Sequence, residues 1–247
     1  MARIAYDSTD AAAFEANRHL TDDGVTAWRA AVTRHLDPRP GMRVLDLGAG
    51  TGMWARAFTA WYDHIDVIAV DPAEAMRARS VFQPVVPGDA ERVPLDDGSV
   101  DAVWISTVIH HVPDLTRAAR ELRRVLRPGG RVLIRSAFAG RHQAITLFRY
   151  FPEAVRVLDS YPSVIDVEAA FGTAGFVTVG LEAVPQVSAP SLREAAAALR
   201  REAHTPLQLI TDDEYAAGLA RLRAAARSET GPVVDALDLL VLARAAT

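Results

Sequence analysis

In the run Val44-Leu45-Asp46-Leu47-Gly48-Ala49-Gly50-Thr51-Gly52, a carboxylate precedes three glycines at alternate positions. A glycine turn after an apolar strand lets a small ligand approach bare backbone. The Asp46 carboxylate repels a pyrophosphate at that point and attracts an ammonium group. A dinucleotide fingerprint would need a glycine where Met53 stands. Downstream, Asp71 and Pro72 follow a second apolar run. The Asp71 carboxylate can accept both ribose hydroxyls of an adenosine, or it can cap the helix that Asp71-Pro72-Ala73-Glu74 announces. Asp89 can accept from an adenine amino group while the Ala90 N–H donates to the ring; the alternative is an ordinary Asp turn. Met76 can cover the adenine or fill the core. Ser106-Thr107-Val108-Ile109-His110-His111 ends a third apolar run in two histidines. Either imidazole can serve as a general base or fix its own loop.

These residues need a scaffold that brings strand ends together. Strands are predicted at 43–47, 65–70, 83–87, 100–106 and 131–137, alternating with helical patterns. Asp114 caps the helix carrying Leu115, Ala118, Ala119, Leu122 and Leu126. Pro128-Gly129-Gly130 is expected to stop it. Alternating β and α units give an α/β fold with a parallel sheet covered on both faces. Such sheets bind ligands beyond the carboxyl ends of their strands.

Beyond 138 the alternation loosens. A helix is expected over 163–174 and closing strands over 176–184 and 233–243. Residues 185–232 between them exceed a hairpin loop and read as a helical insertion. Residues 1–36 read as an N-terminal helical lid. The 247 residues form one domain.

The composition narrows the function. Half the residues are apolar, yet no run reaches the ~20 residues of a spanning helix. The start has no charged-then-apolar signal pattern. Cysteine is absent, which excludes disulfides and thiolate chemistry and fits a cytoplasmic protein. The net charge of -4, with arginines scattered among carboxylates, speaks against nucleic acid. The histidines show no metal-ligand spacing, so no metal is expected. A monomer or homodimer is expected.

Taken in order, Val44–Trp54, Val67–Asp71, Gly88–Leu95, Ser99–Val112 and Arg124–Ile134 resemble the class I S-adenosylmethionine-dependent methyltransferases. The resemblance is to the branch containing ubiquinone/menaquinone methyltransferases and many small-molecule enzymes of secondary metabolism, antibiotic biosynthesis included. It covers about residues 40–138. It implies a Rossmann-like seven-stranded sheet whose last strand is antiparallel. It also implies S-adenosyl-L-methionine as cofactor and S-adenosyl-L-homocysteine as product. Asp46, Gly48, Ala49 and Gly50 would hold the methionine portion, Asp71 and Pro72 the ribose, and Met76, Asp89 and Ala90 the adenine. Ser106 and His111 would complete the cofactor site, with His110 and His111 facing the methyl group.

In such enzymes the acceptor is shaped by the N-terminal helices and by segments after the fifth and sixth strands. Tyr6 and Phe14 are the expected contributors from the lid. Phe138, Phe148, Tyr150 and Phe151 are expected from an aromatic cluster that also holds Tyr161. They shape an apolar pocket for a ring-bearing acceptor or pack a lid on the core. The expected acceptor is a small aromatic or lipophilic molecule methylated on O, N or C. Two other readings stand beside it: a protein that binds the cofactor without methyl transfer, as a cyclase or regulatory subunit, and a nicotinamide-dependent oxidoreductase.

Overall fold

The computed structural model describes residues 22–245. Tyr6, Phe14 and most of the expected lid lie outside the described residues. Helix α1 (Asp22–Leu36) leads into β1 (Arg43–Leu47), α2 (Met53–Trp61), β2 (Asp66–Asp71), α3 (Glu74–Ala78), β3 (Val85–Pro87) and β4 (Val100–Ser106). Helix α4 (Leu115–Val125) and β5 (Leu126–Ser136) follow. The strand order, with β6 and β7 in the C-terminal half, is β3-β2-β1-β4-β5-β7-β6, where β6 is Phe176–Ala189 and β7 is Val233–Arg244. β1 to β5 are parallel neighbours, and β7 runs antiparallel to both β5 and β6. This is the Rossmann-like seven-stranded sheet, with its antiparallel last strand, that the alternating pattern and the resemblance imply.

Side chains alternate across each strand, so the sheet has two apolar faces. One packs Leu45, Val103, Ile105 and Ile134 against α4 through Leu122, and against α7 (Val164–Gly172) through Phe171. The other packs Val44, Trp104, Leu133 and Val241 against Trp28 of α1 and Trp54 and Phe58 of α2. Asp114 caps α4 by accepting from the Arg117 N–H at 2.9 Å. Ser163 and Asp166 form a capping box on α7.

A third apolar cluster builds a cap beside the sheet. It joins α5 (Thr146–Tyr150) and α6 (Val155–Leu158) to α8 (Leu192–Ala198), α9 (Thr205–Gln208) and α10 (Asp212–Ala225).

The structure differs from the sequence expectations at three boundaries. β6 continues to Ala189, because 185–189 still pair with β7, so the added helices begin after Pro190 rather than at 185. Helix α4 ends at Val125, before Pro128-Gly129-Gly130. Leu126 already pairs with Val100, and the register shifts before Arg131 pairs with Ala102. Asp71 is not a helix cap: the N-cap of α3 is Ala73, and the carboxylate is engaged with backbone on either side of it.

Candidate active site

β1 and β4 are adjacent, and Asp46 stands opposite Trp104 in register. Both side chains belong to the face covered by α1 and α2. Asp46 is 1% exposed, and its Oδ2 has no hydrogen-bond partner among the described residues. Burial pushes its carboxyl up to about 7; the Ala55 N–H opposes the shift, and the Asp71 charge adds to it. A buried, unpartnered carboxylate oxygen is costly unless a cation or donor arrives. The indole N–H of Trp104, its register partner on β4, is likewise buried and unpartnered among the described residues.

The turn after β1 is shaped for backbone approach. Gly48 adopts φ +73°, and a Cβ there would meet Val108 Cγ2 at 2.4 Å. Gly52 adopts φ +78° as N-cap of α2, with Ser80 Oγ 2.2 Å from the position of a Cβ. Side chains are excluded at both positions by conformation and by space. Asp71 fixes the same turn: its Oδ2 accepts from the Gly50 N–H at 2.7 Å and its Oδ1 from the Ala73 N–H at 2.8 Å. Desolvation raises the Asp71 pKa, and those two N–H groups and Arg77 oppose the rise. Each carboxylate oxygen has further acceptor capacity. Asp89 is exposed and forms the Asp turn, its Oδ1 accepting from the Glu91 and Arg92 N–H groups at 2.8 and 2.9 Å. Pro72 is exposed; Met76 and Ala90 are buried.

At the sheet's carboxyl end lies a cavity of about 250 Å³. Gly48, Thr51, Ser106 and His110 border it from the β1 and β4 ends. Phe148 and Tyr161 contribute aromatic wall. The cap closes it through His204, Thr205 and Pro206. His110 stacks on Tyr161 with ring centroids 4.1 Å apart and planes 5° apart. His111 packs against His110 at 4.1 Å but does not border the cavity. Thr107, with φ +55°, turns the chain sharply at this strand end.

The expected acceptor residues separate. Phe148 borders the cavity. Phe138 does not: it is 0% exposed in the cluster under α4. Phe151 is also fully buried, stacked on Tyr215 with centroids 5.8 Å apart. The Tyr150 hydroxyl donates to Glu229 at 3.2 Å, away from the cavity. These three are core: Phe138 packs into the sheet's cluster under α4, and Tyr150 and Phe151 into the cap's own hydrophobic cluster.

The sequence reading missed Arg135. It is 7% exposed and borders the cavity. Its guanidinium donates to Gln186 Oε1 at 2.8 Å and Ser106 Oγ at 3.2 Å, and lies over the Trp28 and Trp54 rings. Gln186 Oε1 also accepts from Trp28 Nε1 at 2.7 Å. The available signal was a charged residue continuing the apolar run Val132-Leu133-Ile134. Asp235 and Ser188, joined by a 2.7 Å hydrogen bond, were missed as well. Among the described residues, no cluster of three or more His, Asp or Glu is arranged for a metal. No helix there is long and apolar enough to cross a membrane.

A methyltransferase domain model matches residues 45–134. A demethylmenaquinone methyltransferase of Clavibacter sepedonicus is 38% identical over 136 residues, 52% of this chain and 55% of that protein. One of Streptomyces griseus subsp. griseus is 33% identical over 162 residues, 60% of this chain and 70% of the relative. This chain belongs to the class I S-adenosylmethionine-dependent methyltransferases, on their menaquinone- and ubiquinone-like branch. With the first relative, the methyltransferase match spans only about half of the curated protein's length. The fold agrees beyond the aligned core. A crystal structure described as a candidate methyltransferase from an antibiotic biosynthesis pathway of Anabaena variabilis superposes with a TM-score of 0.69. That match covers 90% of this chain and 99% of the other at 22% identity.

The methyltransferase family implies S-adenosylmethionine, and this site fits it. The unpartnered Asp46 oxygen is a receptor for an ammonium group, and the glycine turn has no room for a side chain at Gly48 or Gly52. The donor set is suited to a cation rather than to a pyrophosphate.

Proposed function

We propose that this chain methylates a small, ring-bearing lipophilic acceptor held in the cavity between the β4 end and the cap. The observation that carries the reading is the cavity itself. One border is the glycine turn and Ser106, and the other is an apolar wall of Ile145, Leu147, Phe148 and Leu158. Apolar walls with a few polar groups suit such acceptors. The relatives' names, which specify demethylmenaquinone, support a lipophilic ring.

When bound, S-adenosylmethionine supplies a methyl group on a sulfonium centre that reacts by in-line displacement. Asp46 holds the ammonium of the methionine portion, with Gly48, Ala49 and Gly50 giving backbone contact. Asp71 accepts from the ribose hydroxyls with its remaining lone pairs, beside Pro72. Met76, Asp89 and Ala90 border the adenine, and Ser106 closes the strand-end side. His110 takes the proton of an O–H or N–H acceptor, steadied by Tyr161 against its face. His111 supports His110 from behind. The cap excludes water, and alignment is the larger part of the rate gain.

The test is incubation with methyl-labelled S-adenosylmethionine and a panel of naphthols, hydroquinones, phenols and indoles. Label in a ring-bearing product, with S-adenosylhomocysteine formed in equal amount, is the expected result. No S-adenosylhomocysteine with any acceptor, despite cofactor binding, favours the cyclase or regulatory reading. A thermal shift with NADH but none with S-adenosylmethionine would restore the nicotinamide reading.

A further inference from the structure

A second groove lies outside the site described above, between α8 and α10. It measures about 440 Å³ and shares no bordering residue with the first cavity. Arg193, Arg200, Arg223 and Arg227 form its rim, and among the described residues no carboxylate borders it. Tyr215 and Leu219 contribute to an apolar floor. Four like charges around one groove stand out in a chain whose net charge is -4.

The other arginines of this region have partners. Arg149 pairs with Glu229, Arg156 with Glu214, Arg201 with Asp212 and Arg221 with Glu153. The Arg193, Arg223 and Arg227 side chains make no ion pair or hydrogen bond among the described residues, and the Arg200 guanidinium donates only to the Ala197 and Leu199 carbonyls. Nearby carboxylates are engaged elsewhere: Glu194 with Ser191, and Glu214 with Arg156. Glu202 acts on Tyr215 through its charge but does not border the groove. Mutual repulsion among the four guanidinium groups is relieved when an anion sits between them.

The floor decides what kind of anion fits. A bare phosphate uses the rim and leaves the apolar floor wet. An anion with an apolar body covers both. We infer that the α8–α10 groove binds a small amphipathic anion, its phosphate, sulfonate or carboxylate held by the Arg193, Arg200, Arg223 and Arg227 rim and its apolar body lying on the Tyr215–Leu219 floor. This site is independent of the methyl-transfer reading. The two cavities nevertheless lie against one apolar cluster: Phe148 and Leu158 border the first, and Leu199 and Tyr215 border the second.

Calorimetric titration of the full chain with decyl phosphate below its micellar concentration tests the inference. Inorganic phosphate serves as the charge-only probe, and decyltrimethylammonium as the same tail with the charge reversed. Decyl phosphate is expected to bind one to one, at least about tenfold more tightly than either control probe. The exposed pair Arg223→Glu/Arg227→Glu is expected to weaken it about tenfold or more, while Arg120→Glu, on the outer face of α4, leaves it unchanged. Should the double reversal fail to fold, Arg193→Gln/Arg227→Gln is expected to show an intermediate loss. Equal affinity in the groove variants, or equal binding of decyltrimethylammonium, overturns the proposal. So does arginine-dependent binding to phosphatidylglycerol vesicles without binding of monomeric decyl phosphate, which would make the groove a membrane contact.

Discussion

The Gly50 N–H donates to Asp71 Oδ2 at 2.7 Å, tying the glycine turn after β1 to the end of β2. A residue at the proposed ribose position therefore also holds the shape of the neighbouring turn. Its second oxygen orders the entry to α3 through Ala73.

Asp71→Asn keeps one acceptor oxygen for two N–H groups. Hydrogen bonds to a charged group contribute about 1.5–3 kcal/mol each. The variant is expected to melt several degrees lower, at roughly 2–4 °C per kcal/mol for a chain of this size. It is also expected to bind S-adenosylmethionine about tenfold more weakly. Calorimetry on one preparation gives both quantities. A lower melting point with unchanged affinity would confine Asp71 to a structural role.

Gly48→Ala places a methyl group against Val108 and keeps φ at +73°. Loss of cofactor binding and destabilisation by about 2–4 kcal/mol are expected, from overpacking plus left-handed strain. Adding Val108→Ala removes the contact but not the strain. The double variant should recover about half the lost stability in urea titrations. No recovery would mean that backbone conformation alone excludes alanine.

The two histidines are expected to differ. His110→Gln removes the imidazole that borders the cavity, so kcat for an O–H or N–H acceptor should fall about 10²–10⁴-fold. His111→Gln should fall far less, with KM for the cofactor little changed. Equal losses in single-turnover rates would show that alignment by the His110–His111 pair, rather than proton transfer, is the main contribution.

Much of the scaffold was legible. β1 and β4 were placed at their observed bounds because parallel strands buried on both faces read as continuous apolar runs. The misreadings share a physical origin. Asp71-Pro72-Ala73-Glu74 has a local capping pattern, but the bond that decides the role of Asp71 comes from Gly50, 21 residues earlier. Phe138, Tyr150 and Phe151 were grouped with Phe148 by composition, and composition cannot distinguish a core aromatic from one at a cavity wall. Arg135 is placed by Gln186, 51 residues later, a long-range pairing with no local signature.

The buried Asp46 carboxyl, raised from its ordinary 3.8 to about 7, also sets a stability trend. Between those values the unfolded chain has lost the proton and the folded one retains it. The unliganded protein is therefore expected to lose stability as pH rises from about 4 to 7, by up to about 4 kcal/mol. Asp46→Asn should flatten this part of the urea-midpoint profile. An unchanged slope in the variant would assign the trend to other groups.

The most direct test of the account is the affinity for S-adenosylmethionine as a function of pH, in the wild-type chain and in Asp46→Asn. Wild-type affinity should rise by up to about tenfold per unit as pH approaches 7, because the ammonium needs Asp46 ionised. It should peak before the ligand's own ammonium deprotonates near pH 8. The variant should bind more weakly and show no rise below pH 7. Matching profiles and affinities in the two proteins would contradict the assignment of Asp46 as the cofactor's counter-charge.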